Sequence, residues 1–330
     1  MHFPVAICFS SPFIKFYPRL PITAKKPDRN VDLCGDGKDD KRDHKQSMTT
    51  ILGIIIVLGS CATGFILSHG NLLALWQPNE LIIIAGSSLG AFIISNPLKT
   101  TITVFKSIPQ LLSPPKYSRE SYLNVLSLLY DLFVKARVKG MMALEQDVDE
   151  PENSEIFTNF PKILKDKHIV HFITDYLRLM VSGNMNAMEM ESLMDLELET
   201  HHEEATIPAN SLTKVSDALP GFGIVAAVMG VVITMGSLGG PVTEIGAHVA
   251  AALVGTFLGI LLAYGFVGPM ATYLEHKCRE EAKYLECVKT TMVATLNGYS
   301  PQIAVEFGRK VIYAAERPGF VELEERIKKK

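Results

Sequence analysis

The sequence predicts an all-α integral membrane protein with four transmembrane helices. A large helical cytoplasmic domain should lie between the second and third, and a helical cytoplasmic tail should end the chain. Three observations predict this. Hydrophobic residues make up 48% of the 330 residues although mean hydropathy is only +0.20, so the apolar residues are gathered into blocks. Four blocks contain no Asp, Glu, Lys or Arg. Lys and Arg then fall on one side of those blocks only.

The first block, residues 51–68, reads ILGIIIVLGSCATGFILS. The second, residues 81–97, is short for a bilayer, and residues 72–78 extend it if the helix tilts. The third covers residues 218–238 and the fourth residues 247–273. The connection between the first two spans has no Lys or Arg, and that between the last two carries only Glu244. Lys99, Lys106, Lys116 and Arg119 open the central segment, and Lys277, Arg279 and Lys283 open the tail. Both ends and the central segment are therefore expected inside the cell. The organisation is residues 1–47 as a disordered extension, 48–97 as spans one and two, and 98–217 as the cytoplasmic domain. Residues 218–273 are spans three and four, and 274–330 the tail.

Residues 1–47 combine four early prolines with a polar run at 36–43 (DGKDDKRD), a composition of disorder, and lack the basic and apolar regions of a secretory signal. Met48 stands just before the first span, where a natural start is expected. Five cysteines without a CxxC pair fit a reduced compartment. A net charge of -3 argues against nucleic-acid binding.

Small residues recur four apart in the spans: Ser60 and Gly64, Gly86 and Gly90, Gly255 and Gly259. They serve close packing, either within the chain or against copies and partners. Leu98, Ile102, Phe105 and Ile108 have helical spacing with lysines between, an amphipathic pattern suited to the inner membrane surface until Pro114–Pro115 break it. Tyr122, Leu126, Leu129, Phe133 and Ala136 predict a helix buried on one side. That helix continues through Lys135, Arg137 and Lys139, and the charge then reverses to Glu145, Asp147, Asp149, Glu150 and Glu152. Such a run is either a solvated face or a two-signed docking surface.

No G-x-S-x-G, Walker loop or H-E-x-x-H occurs, so no enzymatic chemistry and no cofactor are predicted. Adjacent His201 and His202 do not share a helix face, which argues against a metal site there. None of the four spans holds an ionisable residue at mid-depth; Asp217 and His248 stand at span ends, Asp217 as a candidate N-cap. Pro220 falls in the first turn of the third span, and Pro269 should kink the fourth or end its regular hydrogen bonding. Thr256 lies at mid-span and can bond back to its own helix. If an ion crosses, a partner must supply its carrier.

Residues 218–230 (ALPGFGIVAAVMG) and 254–266 (VGTFLGILLAYGF) closely resemble the MotA family of flagellar motor stator proteins, within the MotA/TolQ/ExbB proton channels. So do residues 77–86 (QPNELIIIAG), and 297–301 (NGYSP) followed by 304–310 (AVEFGRK). The resemblance runs from Met48 nearly to the C-terminal end. It implies that Arg137 and Glu145 contact the rotor protein FliG. It further implies that Pro220 and Pro269 couple ion passage to movement, and that Thr256 lines the channel. A single-span partner, MotB, would supply the membrane aspartate and the peptidoglycan anchor, with several copies, by resemblance five, around a partner dimer in the bacterial inner membrane. Ala227 stands where sodium-driven relatives tend to carry a hydroxyl, which favours protons. The rivals are an ExbB- or TolQ-like energiser, which has three spans, and an independent transporter, which would need its own mid-span charge.

Overall fold

The computed structural model describes residues 39–109 and 116–328, with side chains from Thr49 onward. Among these residues the chain is helical and contains no strand. The expectation for residues 1–47 falls mostly outside them, as does Pro114–Pro115. Helix α1 (Asp39–Leu67) begins within the segment expected to be disordered and runs without interruption into the first span.

Among the described residues, four stretches are long and apolar enough to cross a membrane: Thr49–Leu67, Leu72–Ser95, and parts of the continuous helical stretches Ala187–Gly236 and Val242–Leu296. Helix α2 (Pro78–Ser95) starts with proline at its first position, where the missing N–H is no loss. The second span therefore begins earlier than its apolar block, and Glu80 lies inside it.

Helix α3 (Leu98–Ser107) bends away from α2 after Pro97. Its Leu98, Ile102 and Phe105 face outward while Thr101, Val104 and Ser107 are buried, so three of the four residues of the apolar stripe are left for a lipid surface and the fourth, Ile108, packs inward. The buried Val104 packs into a cluster with Phe92, Leu212 and Leu274.

The extramembrane part is built around α4 (Arg119–Lys139), capped by Ser118, whose hydroxyl accepts the Ser121 N–H. Tyr122, Leu126, Leu129, Phe133 and Ala136 are all buried, as their spacing predicts. Short α5 (Glu145–Asp149) and α6 (Pro161–Leu164) lead to α7 (Lys167–Ser182), which ends at Gly183 in the left-handed conformation, φ 67°. These elements share one core with the tail helices α11 (Pro301–Val311) and α12 (Phe320–Lys328).

Two long rods join this core to the membrane. Helix α8 (Ala187–Gly236) has 50 residues, about 75 Å at 1.5 Å per residue. Its N-terminus is fixed by a capping box in which Asn186 accepts the Glu189 N–H at 2.9 Å and Glu189 accepts the Asn186 N–H at 3.0 Å. Asp217 is therefore no N-cap and Pro220 no first-turn proline: both sit far inside one uninterrupted helix, which also contains Pro208. The apolar block marks where α8 enters the membrane, not where the helix begins. The return rod is α9 (Val242–Leu262), a π-helical turn at Ala263–Val267, and α10 (Gly268–Leu296). Pro269, expected to disturb regular hydrogen bonding, stands directly after that π turn.

Candidate functional site

Helices α8 and α9 meet through glycine. A Cβ on Gly259 would lie 2.8 Å from the Leu219 carbonyl oxygen, and one on Gly223 would lie 3.1 Å from the Gly255 oxygen. One on Gly230 would lie 2.7 Å from the Ala252 side chain. Gly255 and Gly259 thus serve packing inside the chain. Around Gly64, Gly86 and Gly90, by contrast, an added Cβ meets nothing within 4 Å, and those positions stay open.

Thr256 and Ala227 flank this seam, both half-buried, on α9 and α8. The Thr256 hydroxyl has no hydrogen-bond partner among the described residues, so the bond back to its own helix that a threonine can make is absent. Beside them is a group that the sequence placed outside the spans. Glu80 is only 7% exposed, its Oε2 lies 2.9 Å from where a Gly255 Cβ would be, and that oxygen has no hydrogen-bond partner among the described residues. A carboxylate in that position is costly unless something pairs with it or protonates it. The signal was available: Glu80 directly precedes an apolar block, and Pro78 marks the helix start two residues earlier.

The two prolines are brought into one arrangement. Pro220 removes the N–H that would have bonded to the Ser216 carbonyl, while the buried Ser216 hydroxyl reaches across and donates to the Ala263 carbonyl at 2.9 Å. The same carbonyl accepts the Gly268 N–H, closing the π turn before Pro269. One oxygen therefore ties the weakened turn of α8 to the weakened turn of the return rod. Pro220 is half-buried and Pro269 exposed. Nothing in the sequence singled out Ser216, because its partner is 47 residues away.

Below the membrane the two-signed run is divided. Lys135 donates to Asp147 at 2.5 Å, and Ser154 donates to the other Asp147 oxygen at 2.7 Å, so this pair braces the fold. Asp149 pairs with Arg178 at 3.0 Å. Arg137 stands in the last turn of α4 and Glu145 opens α5; both are exposed and neither has an ion-pair partner among the described residues. Val138 and Met142, 77% and 66% exposed, stand between them. The result is a surface with the cations Arg137 and Lys139 on one side, the anion Glu145 on the other and an apolar strip between, joined by the turn at Gly140, φ 85°.

Four long apolar helices, an unpaired acid against the α8–α9 seam and a proline-linked pair of rods are features of an ion-conducting membrane protein. Residues 51–140 match the family described as Motility protein A N-terminal, and residues 165–287 match the MotA/TolQ/ExbB proton channel family. The chain belongs to that proton channel family. Among its members it is similar to Motility protein A of Salmonella typhimurium, 52% identical over 281 residues, 85% of this chain and 95% of that protein. It is also similar to Chemotaxis protein LafT of Vibrio parahaemolyticus, 37% identical over 84% of this chain and 97% of that protein. The fold is that of the flagellar MotAB stator complex from Bacillus subtilis, TM-score 0.60 at 24% identity over 78% of this chain and 92% of that one. The C. jejuni MotAB structure gives TM-score 0.66 at 19% identity, covering 82% and 98%.

Proposed function

We propose that this chain is a stator subunit of the bacterial flagellar motor, lying in the inner membrane with both ends in the cytoplasm. The observation that carries the proposal is the 52% identity to Salmonella Motility protein A over 95% of that protein's length. An ExbB- or TolQ-like energiser would have three spans, whereas four candidate spans stand among the described residues of this chain.

Several copies, five by family resemblance, ring a dimer of a MotB-like single-span partner whose peptidoglycan anchor holds it still. The partner supplies the membrane aspartate that carries the ion, here a proton; Ala227 puts a methyl group on the α8 side of the seam, where sodium-driven relatives tend to carry a hydroxyl. Protonation of that aspartate removes its charge and changes the cost of turning it towards an apolar helix face. Thr256 offers a free hydroxyl along the path, and Pro220 and Pro269 let the rods flex as the ring steps. The Arg137 and Glu145 surface then pushes on the rotor protein FliG, where opposite charges set the register of contact.

A clean deletion strain, scored for swimming and by electron microscopy for flagella, tests the proposal. Intact but motionless flagella, rescued by the wild-type gene, are expected. Normal swimming in a strain shown to contain no second stator gene would defeat it.

A further inference from the structure

The adjacent histidines of α8 cannot chelate together, but the fold brings His201 a second imidazole from another helix. His168 lies in the first turn of α7, and its ring stacks on that of His201 with centroids 4.4 Å apart and planes 23° from parallel. Glu281, on α10, faces both: its Oε1 is 3.7 Å from His168 Nδ1 and 4.0 Å from His201 Nε2. We propose that His168, His201 and Glu281 form a binding site for a divalent transition metal of the zinc type, a site that clamps α7, α8 and α10 together outside the membrane.

The donor set is the first argument. Two imidazoles and one carboxylate suit zinc and its neighbours, whereas calcium and magnesium want oxygen alone. Geometry is the second. One donor atom from each residue lies within 4.8 Å of the others. In a tetrahedral site with bonds of about 2.0 Å, ligand atoms stand about 3.3 Å apart, so the two imidazole–carboxylate pairs must close by roughly half an ångström, and the third pair by up to about 1.5 Å as the His168 ring turns out of its stack on His201. The freedom to contract is present, because the His168 side chain is 42% exposed and turns at the start of its helix. All three residues are half-buried, which keeps a ligated ion reachable from solvent.

The surroundings supply the third argument. Tyr117 donates its hydroxyl to Glu281 Oε1 at 3.3 Å, an outer contact that orients a ligating carboxylate. Glu197 and Glu204 lie four residues before and three after His201, so they share its face of α8. Both line the same cavity of about 540 Å³ as His168 and His201, which adds negative charge around the ion. Cys278, one turn before Glu281, is not in the set: its thiol donates to the Ala205 carbonyl at 3.0 Å.

The clamp has a mechanical consequence. Through the Arg178–Asp149 pair, α7 is joined to α5, the helix that opens with Glu145. A metal holding α7 to α8 and α10 would stiffen the path from the Glu145 surface to the membrane rods. The binding claim itself does not depend on the motor reading, and its test reads metal.

The full chain, purified without a polyhistidine tag and freed of metal by a chelator, is titrated with zinc in a calorimeter and with cobalt by its visible absorption. One equivalent per chain is expected, with a visible band of nitrogen- and oxygen-ligated cobalt and a zinc-dependent rise in Tm. His168→Ala and Glu281→Gln should each weaken binding at least tenfold and abolish the rise, while His171→Ala, an exposed histidine on the same helix, retains both. Gel-filtration and helical circular dichroism confirm that each variant is folded; if His168→Ala is not, Glu281→Gln alone decides. A wild-type chain that takes up no zinc would overturn the site, as would uptake unchanged in the folded variants.

Discussion

Single residues carry the sharpest tests because the structure gives each a distinct contact. Ser216→Ala removes the hydroxyl that links α8 to the Ala263 carbonyl, which still accepts the Gly268 N–H. The stability loss should be small, about 1 kcal/mol. Normal amounts in the membrane with slower tethered-cell rotation are expected; unchanged rotation would reduce Ser216 to packing. Glu80→Gln keeps shape and removes the charge beside Gly255. Proton flux through an assembled stator should fall about tenfold, the equivalent of ~1.4 kcal/mol in barrier, in a fluorescent-dye leak assay. Flux equal to wild type would show that Glu80 is a structural acid. For the exposed pair, the double change Arg137→Glu with Glu145→Lys should abolish torque without lowering the protein level, since neither residue has an ion-pair partner among the described residues to lose. Torque that persists in a bead assay would remove this surface from the docking site.

At the scale of elements, stability is concentrated in the extramembrane core and closeness in the membrane rods. Phe133 is 1% exposed at the centre of α4. Phe133→Ala should cost ~3–5 kcal/mol and lower Tm and membrane content together. A variant that melts like wild type would mean that the core relaxes into the space. The helix pattern of α4 was legible because a buried stripe repeats every three to four residues wherever one side of a helix meets a core. The starting point of α8 was not. Hydropathy reports where a helix enters the bilayer, while its N-terminus is set by the Asn186–Glu189 box, a polar feature far outside the apolar block. The same limit hid Glu80, since a polar residue at the edge of an apolar block reads as the end of a span.

At the scale of the whole molecule, the chain leaves much of its membrane surface unmet. Ile224, Val225, Val228, Val231 and Val232 are exposed along α8, and the span of α1 has no buried residue. Lipid covers part of such a surface, and small residues mark where another helix approaches closely. Gly86 has open space around it, so Gly86→Leu should leave the isolated chain folded while disrupting its assembly with other helices. Native mass spectrometry of the purified complex reads the outcome: a complex of wild-type mass carrying leucine would place the contact elsewhere.

By itself, the sequence determined the four spans, their orientation signals, the buried face of α4 and the family. These depend on composition and spacing along one stretch of chain, and each helix satisfies its own backbone wherever it is placed. Tertiary structure decided which charges are spent and which are free: Lys135 with Asp147 inside, Arg137 and Glu145 outside. It also decided that Ser216 meets Ala263, and that His168, His201 and Glu281 converge from three helices. Those contacts join residues far apart in sequence, and a side chain's partner across such a gap depends on how helices cross, which spacing along the chain does not encode.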